Sequence, residues 1–124
     1  MSSPTQRSLK HLRKNGWTAQ VVEKWLPPRG KMKFGVRIDL FGFGDIVACR
    51  PPVQVINATL PGLIAIVQCT SASGGGYAAH RAKILAAPAF PTWKAAGGRV
   101  FLQGWAKRGK RGEKKVWQLR EEEL

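Results

Sequence analysis

Asp45 sits inside one apolar run, Gly44-Asp45-Ile46-Val47-Ala48, and Gln68-Cys69-Thr70 closes another that begins at Leu63. If the two runs are neighbouring strands of a hairpin or meander, the Asp45 carboxylate and the Gln68 side chain can share one face. A carboxylate, an amide oxygen and the Cys69 backbone carbonyl are hard oxygen ligands of the kind Mg²⁺ takes. A cation held there could polarise a phosphodiester and activate water for in-line attack. Each residue also has a plainer reading. Asp45 after a glycine can be a turn residue, and Gln68 can simply satisfy backbone groups at a strand end. A buried amide in an otherwise unbroken apolar run nevertheless wants a reason, and Thr70-Ser71 beside it make the strand end polar.

Charge narrows the partners. The chain has 124 residues, 21 Lys and Arg against 7 Asp and Glu, and a net charge of +14. Such a field concentrates polyanions, and nucleic acid rewards it because each neutralised phosphate releases counterions. The densest stretch is Lys107-Arg108-Gly109-Lys110-Arg111-Gly112, followed by Lys114, whose interleaved glycines suit a hairpin tip tracking a groove. Arg7, Lys10, Arg13 and Lys14 add charge near the start; Arg29, Lys31, Lys33 and Arg37 follow, then Arg81. Contacts of this kind position a backbone without reading bases. A solvated basic surface or an anionic membrane surface are the rival explanations. No basic amphipathic helix with a clean apolar face supports the membrane. One of the five tryptophans could stack on an unpaired base, but Trp17 and Trp25 read as packing residues.

Other classes are disfavoured. Cys49 and Cys69 lie in apolar runs, as buried free thiols of a reducing compartment do. His11 and His80 lack partner ligands at zinc spacing. Met1-Ser2-Ser3-Pro4 has no signal-peptide apolar stretch, and no run is long enough for a membrane span. A cytoplasmic location is expected.

The elements that must position these residues follow from local signals. Ser3-Pro4 opens a helix that Asn15-Gly16 ends. Trp17 to Trp25 reads as one strand, broken by Pro27-Pro28-Arg29-Gly30 and a basic linker, Lys31-Met32-Lys33. Ile38 to Cys49 is the next apolar run, Val53 to Gly62 a turn or short extra strand, and Leu63 to Gln68 a central strand. Ser71 to Gly76 forms a small-residue loop opening a helix from Tyr77 to about Ala87, with a helical turn over Thr92 to Ala96. The Gly74-Gly75-Gly76 run lacks the lysine of a nucleotide-binding loop and reads as a phosphate cradle or a hinge. Arg99 to Trp105 and Val116 to Arg120 alternate like hairpin strands. One domain over residues 1–124 is expected, a mixed α/β sheet with helices packed on it. A hydrophobic fraction of 44% suggests two packed layers without a large cleft.

Asp45 and Gln68-Cys69-Thr70, on apolar strands about twenty residues apart, with a helix before and after, resemble the PD-(D/E)XK phosphodiesterase superfamily. The likeness is greatest to small Holliday-junction-resolvase-like and phage-encoded members. It runs over roughly residues 5 to 87 and includes Gln6-Arg7-Ser8-Leu9…Leu12…Gly16-Trp17 as the first helix. The resemblance implies a restriction-endonuclease-like core, in αβββαβ order with an extra C-terminal strand. It implies Mg²⁺ or Mn²⁺ on Asp45, Gln68 and the Cys69 carbonyl, with Thr70 beside the attacking water. The family's usual Glu is Gln68 here, its usual Lys is Thr70, and the first-helix acid falls at Gln6. Glu23 or Asp39 could supply a second carboxylate, and Lys83 or Arg81 the missing positive charge.

These readings give an expected function: a Mg²⁺-dependent endonuclease acting on duplex or branched DNA, as a homodimer because two strands must be cut, with no membrane or small-molecule cofactor. The chief alternative is a catalytically inactive nucleic-acid-binding protein that keeps the fold. A basic RNA-associated module of another fold is the third.

Overall fold

The computed structural model describes residues 3–31 and 33–124; Met1, Ser2 and Met32, the middle of the predicted linker, lie outside them. Helix α1 (Pro4–Lys14) begins as its sequence predicts: Gln6 N–H donates to Ser3 Oγ at 3.2 Å, and Pro4 occupies the first turn, where no amide is missed. Arg13 Nη2 donates to the Ala19 carbonyl at 2.9 Å, so this cation ties α1 to the strand that follows.

That strand, β1 (Thr18–Val21), is shorter than predicted. The run to Trp25 breaks at Val22-Glu23, and β2 (Lys24–Leu26) leaves to pair with β3 (Val36–Ile38) in a separate two-stranded sheet. The Val22 N–H bond to the Asp45 carbonyl is the last contact with β4, and the chain departs from the sheet at Glu23. Trp25 is consequently 59% exposed rather than a core residue, its ring covering Gly35. The predicted run Ile38 to Cys49 divides too, into β3, a tight reversal over Leu40–Gly44, and β4 (Ile46–Arg50). Cys69 is buried as expected, but Cys49 is exposed.

Strands β5 (Val53–Val55) and β6 (Ala58–Leu60) form a small hairpin turned by Asn57 at φ 65°. Next, β7 (Leu63–Ser71) takes the centre of a five-stranded sheet in the order β1-β4-β7-β8-β9, which confirms Leu63 to Gln68 as the central strand. It pairs antiparallel with β4 and parallel with β8 (Arg99–Arg108), and the crossover carries α2 (Gly76–Ala86) and α3 (Ala89–Ala95), which starts earlier than predicted. A parallel pair needs such a crossover. The last strand, β9 (Val116–Glu123), returns antiparallel beside β8.

The mixed sheet is covered on both faces, giving three layers where composition suggested two. Side chains alternate along β7. Ile66 joins Phe43, Tyr77, Ile84 and Leu102 under α2, while Val67 and Cys69 join Leu12, Ile46 and Ala48 under α1. Gln68 and Thr70 therefore share the Ile66 parity and interrupt the layer beneath α2. No helix among the described residues is long and apolar enough to cross a membrane.

Ile66 is fully buried at this junction and Ile64 is 54% exposed on the same strand. Ile66→Ala should lower unfolding free energy by about 2–5 kcal/mol, against about 0.5 kcal/mol or less for Ile64→Ala; urea denaturation of the two variants measures the contrast.

Candidate active site

Local backbone geometry gathers the acidic residues. The reversal after β3 is closed by mutual bonds of 2.8 Å, Leu40 N–H to the Gly44 carbonyl and Gly44 N–H to the Leu40 carbonyl. Phe41 and Gly42 sit at φ 54° and 82° inside it, a left-handed path that glycine makes easy. Gly44 has no room for a side chain, because a Cβ would lie 2.7 Å from Ile66 Cγ2. Asp39 and Asp45 flank this reversal, so a short sequence separation becomes a side-by-side placement. On the other side of β4, Val22 N–H donates to the Asp45 carbonyl at 2.9 Å as the last contact before the chain departs, which brings Glu23 to the same spot. Carboxylate oxygens of Glu23, Asp39 and Asp45 all lie within 4.8 Å of one another.

Asp45 is held from the neighbouring strand. Its Oδ2 accepts from Cys69 N–H at 2.8 Å and from Gln68 Nε2 at 3.0 Å, which bears out the expected meeting of Asp45 and Gln68 across antiparallel strands. Burial pushes the Asp45 carboxyl up to about 8 against the pull of the Cys69 amide, and the neighbouring Glu23 and Asp39 push the same way. The Cys69 thiol, pushed up to about 12 mainly by burial, lies on the α1 face near Ser8 and Thr5, so only its carbonyl is a candidate ligand.

A hard divalent cation fits this donor set. Three carboxylates repel one another at this spacing, and a cation relieves them. Gln68 Oε1 is buried with no hydrogen-bond partner among the described residues, a costly condition for an amide oxygen. Asp45, Glu23 and Asp39 would hold the ion, with the Cys69 carbonyl beside them; Gln68 turns Nε2 toward both Asp45 and that carbonyl, so its Oε1 would join the set only with the amide turned over.

The cluster lines a cleft of about 580 Å³ whose walls include Gln6, Arg37, Thr70, His80 and Lys83. Two cations sit against the acids: Lys83 Nζ lies 2.5 Å from Asp39 Oδ2, and Arg37 Nη1 lies 3.6 Å from Glu23 Oε1. Lys83 thus reaches the site through Asp39, and Arg37 is a cleft residue rather than part of a remote basic patch. Arg81 faces the other way, with Nε 2.9 Å from Glu122 Oε2 on β9, so it neither lines the cleft nor offers a free charge to phosphate. Lys31, Lys33, Lys107, Arg108, Lys110, Arg111 and Lys114 are all exposed and outside the cleft lining.

His80, which the sequence offers only as an isolated histidine without zinc partners, lines the cleft. Its Nδ1 donates to the Gly76 carbonyl at 2.7 Å and lies 3.2 Å from Thr70 Oγ1. A carbonyl only accepts, so the proton of the neutral ring sits on Nδ1 and Nε2 is left as its base. One signal was there to find: the loop after Thr70 is so short that the first turns of α2 must lie over the strand end.

No protein-family model, curated protein or solved structure matches this chain. The functional reading therefore rests on the site itself.

Folded Asp45 binds its proton up to about pH 8, whereas the unfolded chain releases it near 3.8. The native state then holds more protons than the unfolded state between those values, so stability falls as pH rises through that window. This group contributes a slope of about 1.4 kcal/mol per pH unit there, with none below or above it. Asp45→Asn should remove that slope from urea midpoints measured across the range. Millimolar Mg²⁺ at alkaline pH should raise the melting temperature of wild type and leave that of Asp45→Asn unchanged.

Proposed function

We propose that the chain is a divalent-metal-dependent endodeoxyribonuclease, a degenerate PD-(D/E)XK protein with a restriction-endonuclease-like core. The observation that carries this reading is the convergence of Glu23, Asp39 and Asp45, in a cleft of a protein with net charge +14. The order α1, β1, β4, β7, α2, β8, with an antiparallel meander and then a parallel strand, supports the αβββαβ core.

Within the site each group has a task. Asp45 is oriented by the Cys69 amide and the Gln68 side chain, and Glu23 and Asp39 supply the negative charge that Gln68 and Gln6 lack. Mg²⁺ or Mn²⁺ bound there supplies Lewis-acid stabilisation of the charge that builds on a phosphodiester under attack by water. Thr70 and His80 stand on the wall beside the cluster, and with Nδ1 held by the Gly76 carbonyl it is Nε2 of the neutral ring form that would take a proton from that water. Lys83 and Arg37 bring positive charge to the rim where the family's motif lysine is absent. The exposed tip between β8 and β9, with Lys107, Arg108, Lys110, Arg111 and Lys114, attracts the DNA backbone, and Lys31 and Lys33 add to the field.

A second reading is favoured by those same rim cations. Lys83 and Arg37 already neutralise Asp39 and Glu23, and a protein that binds DNA without cutting it would look alike. Cleavage of labelled duplex, single-stranded and four-way-junction DNA with Mg²⁺ or Mn²⁺ separates the two. Wild type is expected to cut, and Asp45→Ala and Glu23→Gln are expected to bind with unchanged affinity and to cut at background. Tight binding without cutting under either metal would leave only the second reading. Paired cuts on opposite strands support a homodimer; nicks alone mark a site acting singly.

The tip makes a separate prediction. Changing Lys107, Arg108, Lys110 and Arg111 together to Gln should weaken binding of all DNA sequences alike. The slope of log affinity against log salt should become shallower by about 0.9 for each phosphate that the variant no longer neutralises.

A further inference from the structure

A second concavity, about 510 Å³, lies on the other side of Gln6, which lines both it and the acidic cleft. Its remaining walls are Arg7, Lys10, His11, Lys14 and Trp105, with no acidic residue among them. Arg7, Lys10 and Lys14 recur at helical spacing on one side of α1, over a length of about 10 Å.

The groove is aromatic as well as basic. The Arg7 guanidinium carbon lies 3.5 Å from the centre of the Trp117 ring on β9, and Lys107 Nζ approaches the same ring at 5.9 Å. Trp105 is locked by its Nε1 donating to Ser8 Oγ at 2.9 Å, and His11 meets its ring edge-on at 5.8 Å. Among the described residues no carboxylate pairs with Arg7, and its buried Nε has no hydrogen-bond partner. Trp117 stays 42% exposed. A cation already stacked on an indole and unpaired with any acid is suited to an anion that also carries a flat ring.

We propose that this groove is a subsite for an unpaired DNA strand running out of the acidic cleft over Gln6, with a base stacking against the Arg7–Trp117 pair and phosphates along Lys10 and Lys14. Bases of an intact duplex are stacked on one another and offer no free face to the pair, whereas an unpaired strand does. The lysines attract either form, so it is the stacked pair that discriminates. The inference rests on the nuclease reading for its direction, since it names as substrate a duplex bearing a single-stranded arm.

Fluorescence anisotropy in chelator, where cutting cannot occur, tests it with a blunt duplex and the same duplex extended by an oligothymidylate arm. Wild type should prefer the armed duplex by about tenfold, within the range that stacking contributes per base. Trp117→Ala should abolish that preference and leave blunt-duplex affinity unchanged, and Arg7→Lys, which keeps charge but loses the planar stack, should do the same. Equal wild-type affinity for the two duplexes would overturn the subsite. So would a preference that survives both variants, or an equal loss on both duplexes in both. A failed nuclease reading shows differently, as absent cutting with Mg²⁺ while the arm preference in chelator persists.

Discussion

A carboxylate removed from water must find donors, and Asp45 finds them on the strand beside it. The Cys69 amide and the Gln68 side chain both donate to Asp45 Oδ2. That arrangement requires the antiparallel register of β4 with β7, the glycine at position 44 that lets the chain pass Ile66, and the Val22 hydrogen bond that ends β1. The last two of these also deliver Asp39 and Glu23 to the same place. The anchoring of one buried carboxyl and the assembly of the whole cluster are one packing solution.

The distribution of the few acids is informative in a chain so basic. Glu23, Asp39 and Asp45 meet in the cleft, and Glu121, Glu122 and Glu123 stand together on β9, which leaves Glu113 alone among the seven. The β9 group is structural. Gln103 Nε2 donates to Glu121, Tyr77 and Arg81 donate to Glu122, and Arg99 pairs with Glu123. By holding α2 against the sheet edge, the Glu122 contacts also help to seat His80 over Thr70. In the cleft group Asp39 pairs with Lys83 and Glu23 with Arg37, yet all three acids still meet at one spot. Asp45 is 3% exposed, and its ionisation there weakens the fold.

Electrostatics then sets a constraint on any phosphate. The overall field draws polyanions toward the surface, yet the floor of the cleft repels them at close range. A phosphodiester reaches Asp45 only with positive charge between them. Lys83 and Arg37 supply some from the rim, and the divalent cation proposed for the floor would supply the rest. The basic groove beyond Gln6 has no such conflict, because no acid stands among its aromatic and cationic walls.

Much of the scaffold is legible in the residues. The Ser3-Pro4 start and Asn15-Gly16 end of α1, the central apolar strand, the helix after the small-residue loop and the final hairpin all depend on interactions a few residues apart, which local patterns encode. The meeting of Asp45 with Gln68 is legible on the supposition that their strands are neighbours, since unbroken apolar runs set no register of their own. Where the strands stop is not. Nothing near Trp17 to Trp25 reveals that the sheet ends at Val21, nor that the run from Ile38 is folded back on itself. Glu23 and Asp39 owe their place to those two departures, and His80 to the angle at which α2 crosses β7. Exposure of Trp25 follows from the first departure, and Cys49 lies on the inner strand β4 opposite the exposed Ile64. Residue order alone thus points to most of the elements and the basic field, and to the Asp45–Gln68 axis once their two strands are taken as neighbours. Which other charges converge on that axis is settled only in three dimensions, because their meeting depends on chain paths set by packing between residues far apart in sequence.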